Sequence, residues 1–122
     1  MGRDFEELSG RVIAAAVDVH KALGPGFLEA VYEQALRIEL AACGLAFESQ
    51  KKLEVRYADQ VVGVHVLDLL VEGQLVVELK AIKAFEEVHY AQLRSYLRAS
   101  GARVGLLLNF STPTLAIKRV VN

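Results

Sequence analysis

Apolar residues recur at helical spacing in the first third of the chain. One such stretch covers residues 8–23 and stops at Gly24, and a second covers residues 28–42 and stops near Gly44. A repeat of three to four positions is typical of an amphipathic helix, and glycine commonly ends one. The pattern therefore predicts two helices before any strand.

Three stretches rich in β-branched and apolar residues follow, at 46–57, 61–71 and 75–81, with turn-forming residues between them. Short apolar segments separated in this way predict strands. Their close succession predicts an antiparallel meander, so the sheet begins with three neighbouring strands.

The last third of the chain returns to helical spacing and then to strands. Residues 86–100 have the helical pattern, Gly101 ends it, and a continuous apolar run at 104–108 predicts a buried strand. Strand, helix and strand in this order predict a right-handed parallel crossover that places the helix over the sheet. Residues 115–121 predict a last edge strand. The expected fold is α+β with a mixed sheet.

Length and composition fit one compact domain spanning residues 1–122, because 53% of the 122 residues are hydrophobic. The net charge of −1 argues against nucleic-acid binding through an overall positive charge. Two local basic clusters are interpreted as solvated surface: Lys51, Lys52 and Arg56, and Arg94, Arg98 and Arg103.

The single cysteine, Cys43, excludes an intramolecular disulfide, fits a reducing compartment and is expected to be a small buried side chain. No apolar run approaches the roughly 20 residues that span a bilayer, and the N-terminus lacks the apolar core of a signal peptide. We therefore expect a cytoplasmic protein without membrane contact.

Three ionisable residues interrupt the second and third predicted strands: Asp68, Glu78 and Lys80. If residues 72–74 form a three-residue turn, Asp68 lies opposite Glu78 and Lys80 follows on the same face. Two carboxylates about 5 Å apart repel by roughly 3 kcal/mol at an effective dielectric constant of about 20. A cation between them would remove that repulsion.

A divalent metal suits this position, because Mg²⁺ typically takes one or two carboxylates and completes its shell with water and phosphate oxygens. Lys80 would then orient a water or neutralise phosphate charge. The alternative is a surface hairpin in which Lys80 forms an ordinary ion pair with Glu78 or Asp68. A two-residue turn would also separate Asp68 from Glu78, so the hypothesis depends on the turn.

Two helices carry further candidates. On the third helix, His89, Gln92 and Tyr96 share one stripe. Gln92 and Tyr96 would either hydrogen-bond a phosphate or hold Lys80, and the alternative is an ordinary polar surface. On the second helix, Glu29 is either a further carboxylate of the metal site or a residue favoured by the helix dipole. Tyr32 either joins the site or packs its ring in the core.

Gly26, Glu29 and Tyr32 match the signature of the GxxExxY protein family, within the PD-(D/E)XK nuclease superfamily. The chain resembles this family in four blocks that follow one another in order: VHKALGPGFLEAVY, DLLVEGQLVVELKA, HYAQLRSYL and GLLLNF. The resemblance implies a core of helix, three strands, helix and strand. Relative to that core, the chain has an extra N-terminal helix and a C-terminal edge strand.

The resemblance also implies roles for individual residues. Asp68 matches the metal-binding aspartate, and Glu78 and Lys80 match the E-x-K element, although Leu67 stands where proline often precedes the aspartate. Glu29 matches the helical glutamate, which adds a third metal ligand. The candidate substrate-binding residues are Tyr32 and the Q-x-x-x-Y pair of the RecB-like branch, Gln92 and Tyr96.

The leading hypothesis is a Mg²⁺- or Mn²⁺-dependent nuclease that hydrolyses nucleic acid, in the first place DNA. One alternative is a catalytically silent binding or scaffolding module with the same fold, acting as a homodimer or a subunit. Another is a nuclease that needs a partner for substrate binding. The predicted edge strand at 115–121 is the candidate surface for pairing between subunits.

Overall fold

The computed structural model describes the backbone of residues 2–122 and the side chains of residues 6–122. Eight elements follow one another along the chain: α1 (Gly2–Leu23), α2 (Glu29–Ala42), β1 (Phe47–Tyr57), β2 (Gln60–Val71), β3 (Leu75–Lys80), α3 (Glu87–Ser100), β4 (Val104–Asn109) and β5 (Ala116–Val121). This confirms the predicted fold class and the predicted order of helices and strands.

The five strands form one mixed sheet in sequence order, β1-β2-β3-β4-β5. The pairs β1–β2, β2–β3 and β4–β5 are antiparallel, and β3–β4 is parallel. Since α3 connects the parallel pair, β3 and β4 end at the same edge of the sheet. The residues that follow Lys80 and Asn109 therefore lie close together.

Helices cover both faces of the sheet. On one face, α1 and α2 pack on a cluster that includes Leu69, Val77 and Leu106. On the other face, α3 contributes Leu93 and Leu97 to a second cluster, which contains the strand residues Leu67, Leu70, Val76 and Leu107. Burial on both faces explains why β3 and β4 are nearly continuous apolar runs.

Two details differ from the sequence expectations. Helix α1 begins at Gly2, earlier than the predicted start at residue 8, because the polar residues of its first turns give no apolar periodicity. Cys43 is exposed, so its predicted burial is wrong. Cys43 is the residue at the C-terminal end of α2, and its side chain faces solvent. Leu45, two residues later, is the buried side chain in this region. None of the helices in the described part of the chain is long and apolar enough to cross a membrane.

The contact between β4 and α3 depends on Gly105. A Cβ at this position would lie 2.8 Å from Leu93 Cδ1 and 3.1 Å from Leu93 Cγ, and Leu93 is fully buried. Helix α3 therefore approaches the sheet as closely as a glycine allows.

We expect Gly105→Ala to lower the free energy of unfolding by roughly 1–3 kcal/mol, because a buried Leu93 must leave its position. Chemical denaturation of Gly105→Ala, Leu93→Ala and the double variant measures this effect. The double variant should be more stable than the sum of the two single losses implies. Strict additivity would contradict a direct contact between the two side chains.

Candidate active site

The β2–β3 connection has the predicted three-residue turn, in which Glu72 and Gly73 adopt positive φ angles of 54° and 65°. The register beyond it pairs Val71 with Leu75 and Leu69 with Val77. Continued by one residue, this register sets Asp68 opposite Glu78, as expected from the sequence.

Asp68 and Glu78 bind each other's strand reciprocally. The backbone N–H of Asp68 donates to Glu78 Oε2 at 2.9 Å, and the N–H of Leu79 donates to Asp68 Oδ2 at 2.9 Å. Backbone pairing between β2 and β3 stops at Leu69 and Val77. At the next position, these two side-chain hydrogen bonds replace the backbone-to-backbone bonds of a regular sheet. The strands therefore separate here, and each carboxylate is fixed by a backbone amide.

The neighbouring strand β1 is also irregular at this level. Leu67 packs in the cluster under α3, whereas Leu69 packs in the cluster under α1 and α2, so the alternation of side chains in β2 breaks at Asp68. Gln50, across from Asp68 on β1, has a positive φ of 50°. A non-glycine residue in the left-handed region inside a strand carries backbone strain.

Burial makes the carboxylate pair electrostatically unfavourable by itself. Burial raises the pKa of Glu78 to about 8, and the charge of Asp68 adds to this effect. Burial also raises the pKa of Asp68, although the hydrogen bond from Leu79 and the charge of Lys80 oppose the rise. Both groups would be relieved by a bound cation.

Lys80 ends β3 and turns towards α3. Its Nζ donates to Gln92 Oε1 at 3.2 Å. Among the described residues, ion pairs within 4.0 Å join other side chains and none joins Lys80 to Asp68 or Glu78. The ordinary ion pair of the alternative interpretation is therefore not formed, and the ammonium group stays beside the carboxylates without being neutralised by direct contact.

Tyr96 lies next to the same carboxylates from the side of α3. Burial raises the pKa of its hydroxyl, and the charges of Glu78 and Asp68 raise it further, which places the phenol within their field. Its ring also packs at 4.5 Å from the ring of His65 on β2. Gln92 and Tyr96 thus approach the site together, as their shared stripe predicts.

Glu29 reaches the site from the opposite side. It is the first residue of α2, and its Oε2 accepts the backbone N–H of Ala81 at 3.3 Å. Its charge contributes to the raised pKa of both Asp68 and Glu78. The structure therefore brings Glu29 to the edge of the sheet where β3 ends.

Tyr32 takes the packing position, and not the substrate-binding position assigned to it from the resemblance, because a fully buried side chain has no surface for substrate. Its side chain is fully buried and stacks on Phe110 with a centroid distance of 4.6 Å. Its hydroxyl donates to the carbonyl of Gly24 at 2.6 Å and accepts the N–H of Phe27 at 3.1 Å. Tyr32 thereby holds the loop before Glu29, and its buried position separates it from solvent and from the carboxylates.

The two remaining histidines of the resembling blocks have structural contacts. His89 Nδ1 accepts the N–H of Glu86 at 2.8 Å at the start of α3. His20 is buried against Phe110, and its Nε2 lies 3.0 Å from the carbonyl oxygen of Thr112. Neither residue contacts Asp68, Glu78 or Lys80.

Sequence reasoning missed two side chains beside Asp68, Glu33 and Gln50. Gln50 Nε2 donates to Glu33 Oε1 at 2.7 Å and lies 3.5 Å from Asp68 Oδ1. Burial and the charge of Asp68 raise the pKa of Glu33. The spacing of Glu33 four residues after Glu29 could have placed both on one side of α2. No local signal marks Gln50.

A third missed residue, Asn109, shapes the loop after Lys80. It is fully buried, its Oδ1 accepts the N–H of Ile82 at 3.1 Å and its Nδ2 donates to the carbonyl of Ile82 at 2.8 Å. Asn109 also pairs with Lys80 in the β3–β4 register. The amide therefore fixes the chain as it leaves the site towards α3.

The donor set fits a hard divalent cation. Each carboxylate of the pair uses one oxygen for a short backbone hydrogen bond, which leaves Asp68 Oδ1 with only the 3.5 Å contact to Gln50. Carboxylate oxygens with room for water are the ligands that Mg²⁺ prefers. The described residues contain no group of three acidic, histidine or cysteine side chains already gathered at metal-binding distances. The Asp68 and Glu78 carboxylates therefore suit a divalent cation that keeps several water ligands of its own.

The site thus combines an aspartate on β2 with a glutamate and a lysine two residues apart on β3, where the parallel β3–α3–β4 crossover begins. The sequence model of the PD-(D/E)XK nuclease superfamily matches residues 6–120, and the chain belongs to this superfamily. PD-(D/E)XK nucleases generally use divalent metal ions such as Mg²⁺.

Among solved structures, the crystal structure of SSO0001 is similar to this chain. The TM-score is 0.58 at 17% sequence identity, and the match covers 76% of this chain and 49% of SSO0001. The chain thus corresponds to about half the length of that protein, and at this identity the similarity concerns the fold. No curated protein is significantly similar to the chain.

The raised pKa of Glu78 predicts that stability falls with pH in the absence of divalent metal. Between the unfolded pKa of about 4.3 and the folded value of about 8, the folded chain binds more protons than the unfolded chain. The free energy of unfolding therefore decreases with rising pH, by up to about 1.4 kcal/mol per pH unit. Thermal unfolding in chelator across this window measures the effect.

Glu78→Gln is the control, because it keeps the shape of the side chain and removes its titration. We expect a flatter pH profile for this variant, with the smaller contribution of Asp68 remaining. A wild-type profile that is flat or rises across the window would contradict the burial of this carboxyl group.

The positive φ of Gln50 predicts an unusual response to glycine. Gln50→Gly should be more stable than Gln50→Ala by about 1 kcal/mol, because glycine adopts this conformation without strain. The exposed Glu48 on the same strand is the matched control, since glycine there should be less stable than alanine. Chemical denaturation of the four variants tests this, and the same sign at both positions would refute local strain.

Proposed function

We propose that this chain is a Mg²⁺- or Mn²⁺-dependent nuclease that hydrolyses phosphodiester bonds, in the first place those of DNA. The observation that carries the proposal is the position of Lys80. Its ammonium group lies beside the buried Glu78 and the half-buried Asp68 without a direct ion pair to either, and Gln92 holds it towards α3. A lysine placed in this way can meet a phosphate or a water.

The metal would be held by Asp68 and Glu78, with Glu29 binding directly or through water. When bound, such an ion polarises the phosphate and lowers the pKa of a coordinated water. The reciprocal hydrogen bonds of Asp68 and Glu78 fix the direction of the two carboxylates before any ligand arrives. This preorganisation lowers the cost of gathering like charges at one place.

The remaining residues act on the substrate. Lys80 orients the attacking water or balances the negative charge that grows on the phosphate. Gln92 and Tyr96 hold the nucleic-acid backbone beside it, in the manner of the Q-x-x-x-Y pair of RecB-like nucleases. We also propose that the chain belongs to the GxxExxY branch, with Tyr32 supporting the site through the loop before Glu29 rather than by touching substrate.

The charge of the chain favours a second candidate. At a net charge of −1, the protein lacks the overall attraction that draws many nucleases to nucleic acid. A silent binding module, or a subunit that depends on a partner or on a second copy for substrate binding, would share this composition. These candidates differ from the first in metal binding and in activity of the isolated chain.

We expect the purified chain to cleave nucleic acid only with Mg²⁺ or Mn²⁺, and Lys80→Ala to lower the rate at least about 100-fold. The assay uses single-stranded, double-stranded and branched DNA, and RNA, each with Mg²⁺, Mn²⁺ or chelator. Lys118→Ala, an exposed lysine on β5, is the matched control and should cleave at the wild-type rate. Circular dichroism verifies that both variants fold.

Retained metal-dependent cleavage by Lys80→Ala would remove Lys80 from the mechanism. If neither protein cleaves, calorimetry separates the other candidates. Mg²⁺ binding that disappears in Asp68→Asn would indicate a nuclease lacking its partner, and no specific binding would indicate a silent module.

A further inference from the structure

The two basic clusters of the sequence meet in the folded chain. Arg56, near the end of β1, and Arg98, on α3, line the same groove of about 430 Å³ between the β1–β2 hairpin and α3. His65 and Ser95 line it as well, together with one acidic residue, Glu54. Arg56 and Arg98 are both exposed, as the interpretation of the clusters as solvated surface expects, and in addition they share one groove.

The groove lies next to the candidate active site. His65 packs against Tyr96, whose hydroxyl lies in the field of Asp68 and Glu78. Along β2, His65 is about 10 Å from Asp68 at the usual rise of a strand. Along α3, the groove begins one turn after Gln92, at Ser95. A strand of nucleic acid leaving Lys80 would enter it directly.

The groove is positively charged although the chain is not. It holds two arginines and one glutamate, and Arg98 makes no ion pair with the described side chains. Arg56 pairs with Glu54 at 2.8 Å, and both side chains are 58% exposed. An exposed pair of this kind contributes only about 0–1 kcal/mol, so a phosphate can compete for the guanidinium.

Two further polar side chains, Ser95 and His65, line the same groove as the arginines. Ser95 Oγ donates to the carbonyl of Gln92 at 2.7 Å and lies 3.4 Å from His65 Nε2. The two guanidinium groups are the donors suited to phosphate oxygens, whereas the Ser95 hydroxyl proton is already donated to Gln92.

We infer that this groove binds the backbone phosphates of the nucleic-acid strand on one side of the cleaved bond. The roughly 10 Å to Asp68 is short enough for one strand to reach both places, since each strand of B-DNA carries a phosphate about every 3.4 Å along the helix axis. The inference rests on the proposed nuclease function for the identity of the ligand. Its ligand chemistry, a polyanionic strand, follows from Arg56, Arg98 and the groove between them.

The test measures binding without cleavage. Fluorescence anisotropy with short labelled single-stranded DNA, the matching duplex and RNA, in chelator and in Ca²⁺, gives affinity as a function of salt. Arg98→Ala and Arg56→Ala should each weaken binding several-fold, whatever the base sequence. Each should also reduce the slope of log affinity against log salt by about 0.7–0.9. Glu54→Gln should tighten binding.

Arg119→Ala is the matched control. Arg119 is exposed on β5 and pairs with Leu106, whose side chain packs under α1 and α2, so it lies on the face of the sheet opposite the groove. Its removal should leave affinity and salt slope unchanged. Denaturation curves exclude unfolding as the cause of any loss.

Affinities and slopes of Arg56→Ala and Arg98→Ala equal to those of Arg119→Ala would overturn the inference, and so would a wild-type chain that binds none of the three probes. These outcomes are independent of catalysis. Binding that depends on both arginines in a chain that never cleaves would support the groove and contradict the nuclease. Cleavage by the wild-type chain, together with unchanged binding by the two arginine variants, would support the nuclease and contradict the groove.

Discussion

The structure around the candidate site depends on one constraint, the placement of two neighbouring carboxylates, the buried Glu78 and the half-buried Asp68, between separating strands. Asp68 and Glu78 stay in place because each accepts a backbone amide of the other's strand or of its immediate neighbour. Loss of solvation raises the pKa of both, and the charge of Asp68 adds to the rise at Glu78. The other features of the site, the strained Gln50, the loop held by Asn109 and the lysine held by Gln92, surround this pair.

The site is assembled from both faces of the sheet. Glu29 and Glu33 come from α2 on one side, and Gln92 and Tyr96 come from α3 on the other. Side chains from both α2 and α3 reach the end of β3, because β2 and β3 separate there and the chain turns away after Lys80. Acidic groups thus gather on the α2 side and uncharged donors on the α3 side. This asymmetry suits a metal bound on one side and a phosphate backbone on the other.

Local patterns predicted the parts of the site that depend on short stretches of chain. The three-residue turn after Val71 determines which residue faces Asp68, and turn chemistry is readable within a few positions. Helical spacing likewise placed Gln92 and Tyr96 on one stripe. Gln50 could not be found in this way, because its role arises from strands and helices that meet only after folding. Tyr32 was undecided for the same reason, since its partner Phe110 lies far along the sequence.

The reciprocal hold on Asp68 and Glu78 also has a consequence for how such a chain evolves. Buried like charges oppose folding, so replacing either carboxylate with its amide would relieve the chain of an unfavourable interaction. A lineage that kept only the scaffold would therefore gain by losing them, and random change alone would readily supply the substitutions. The two carboxylates thus cost this fold stability, which their hydrogen bonds to the strand amides only partly offset.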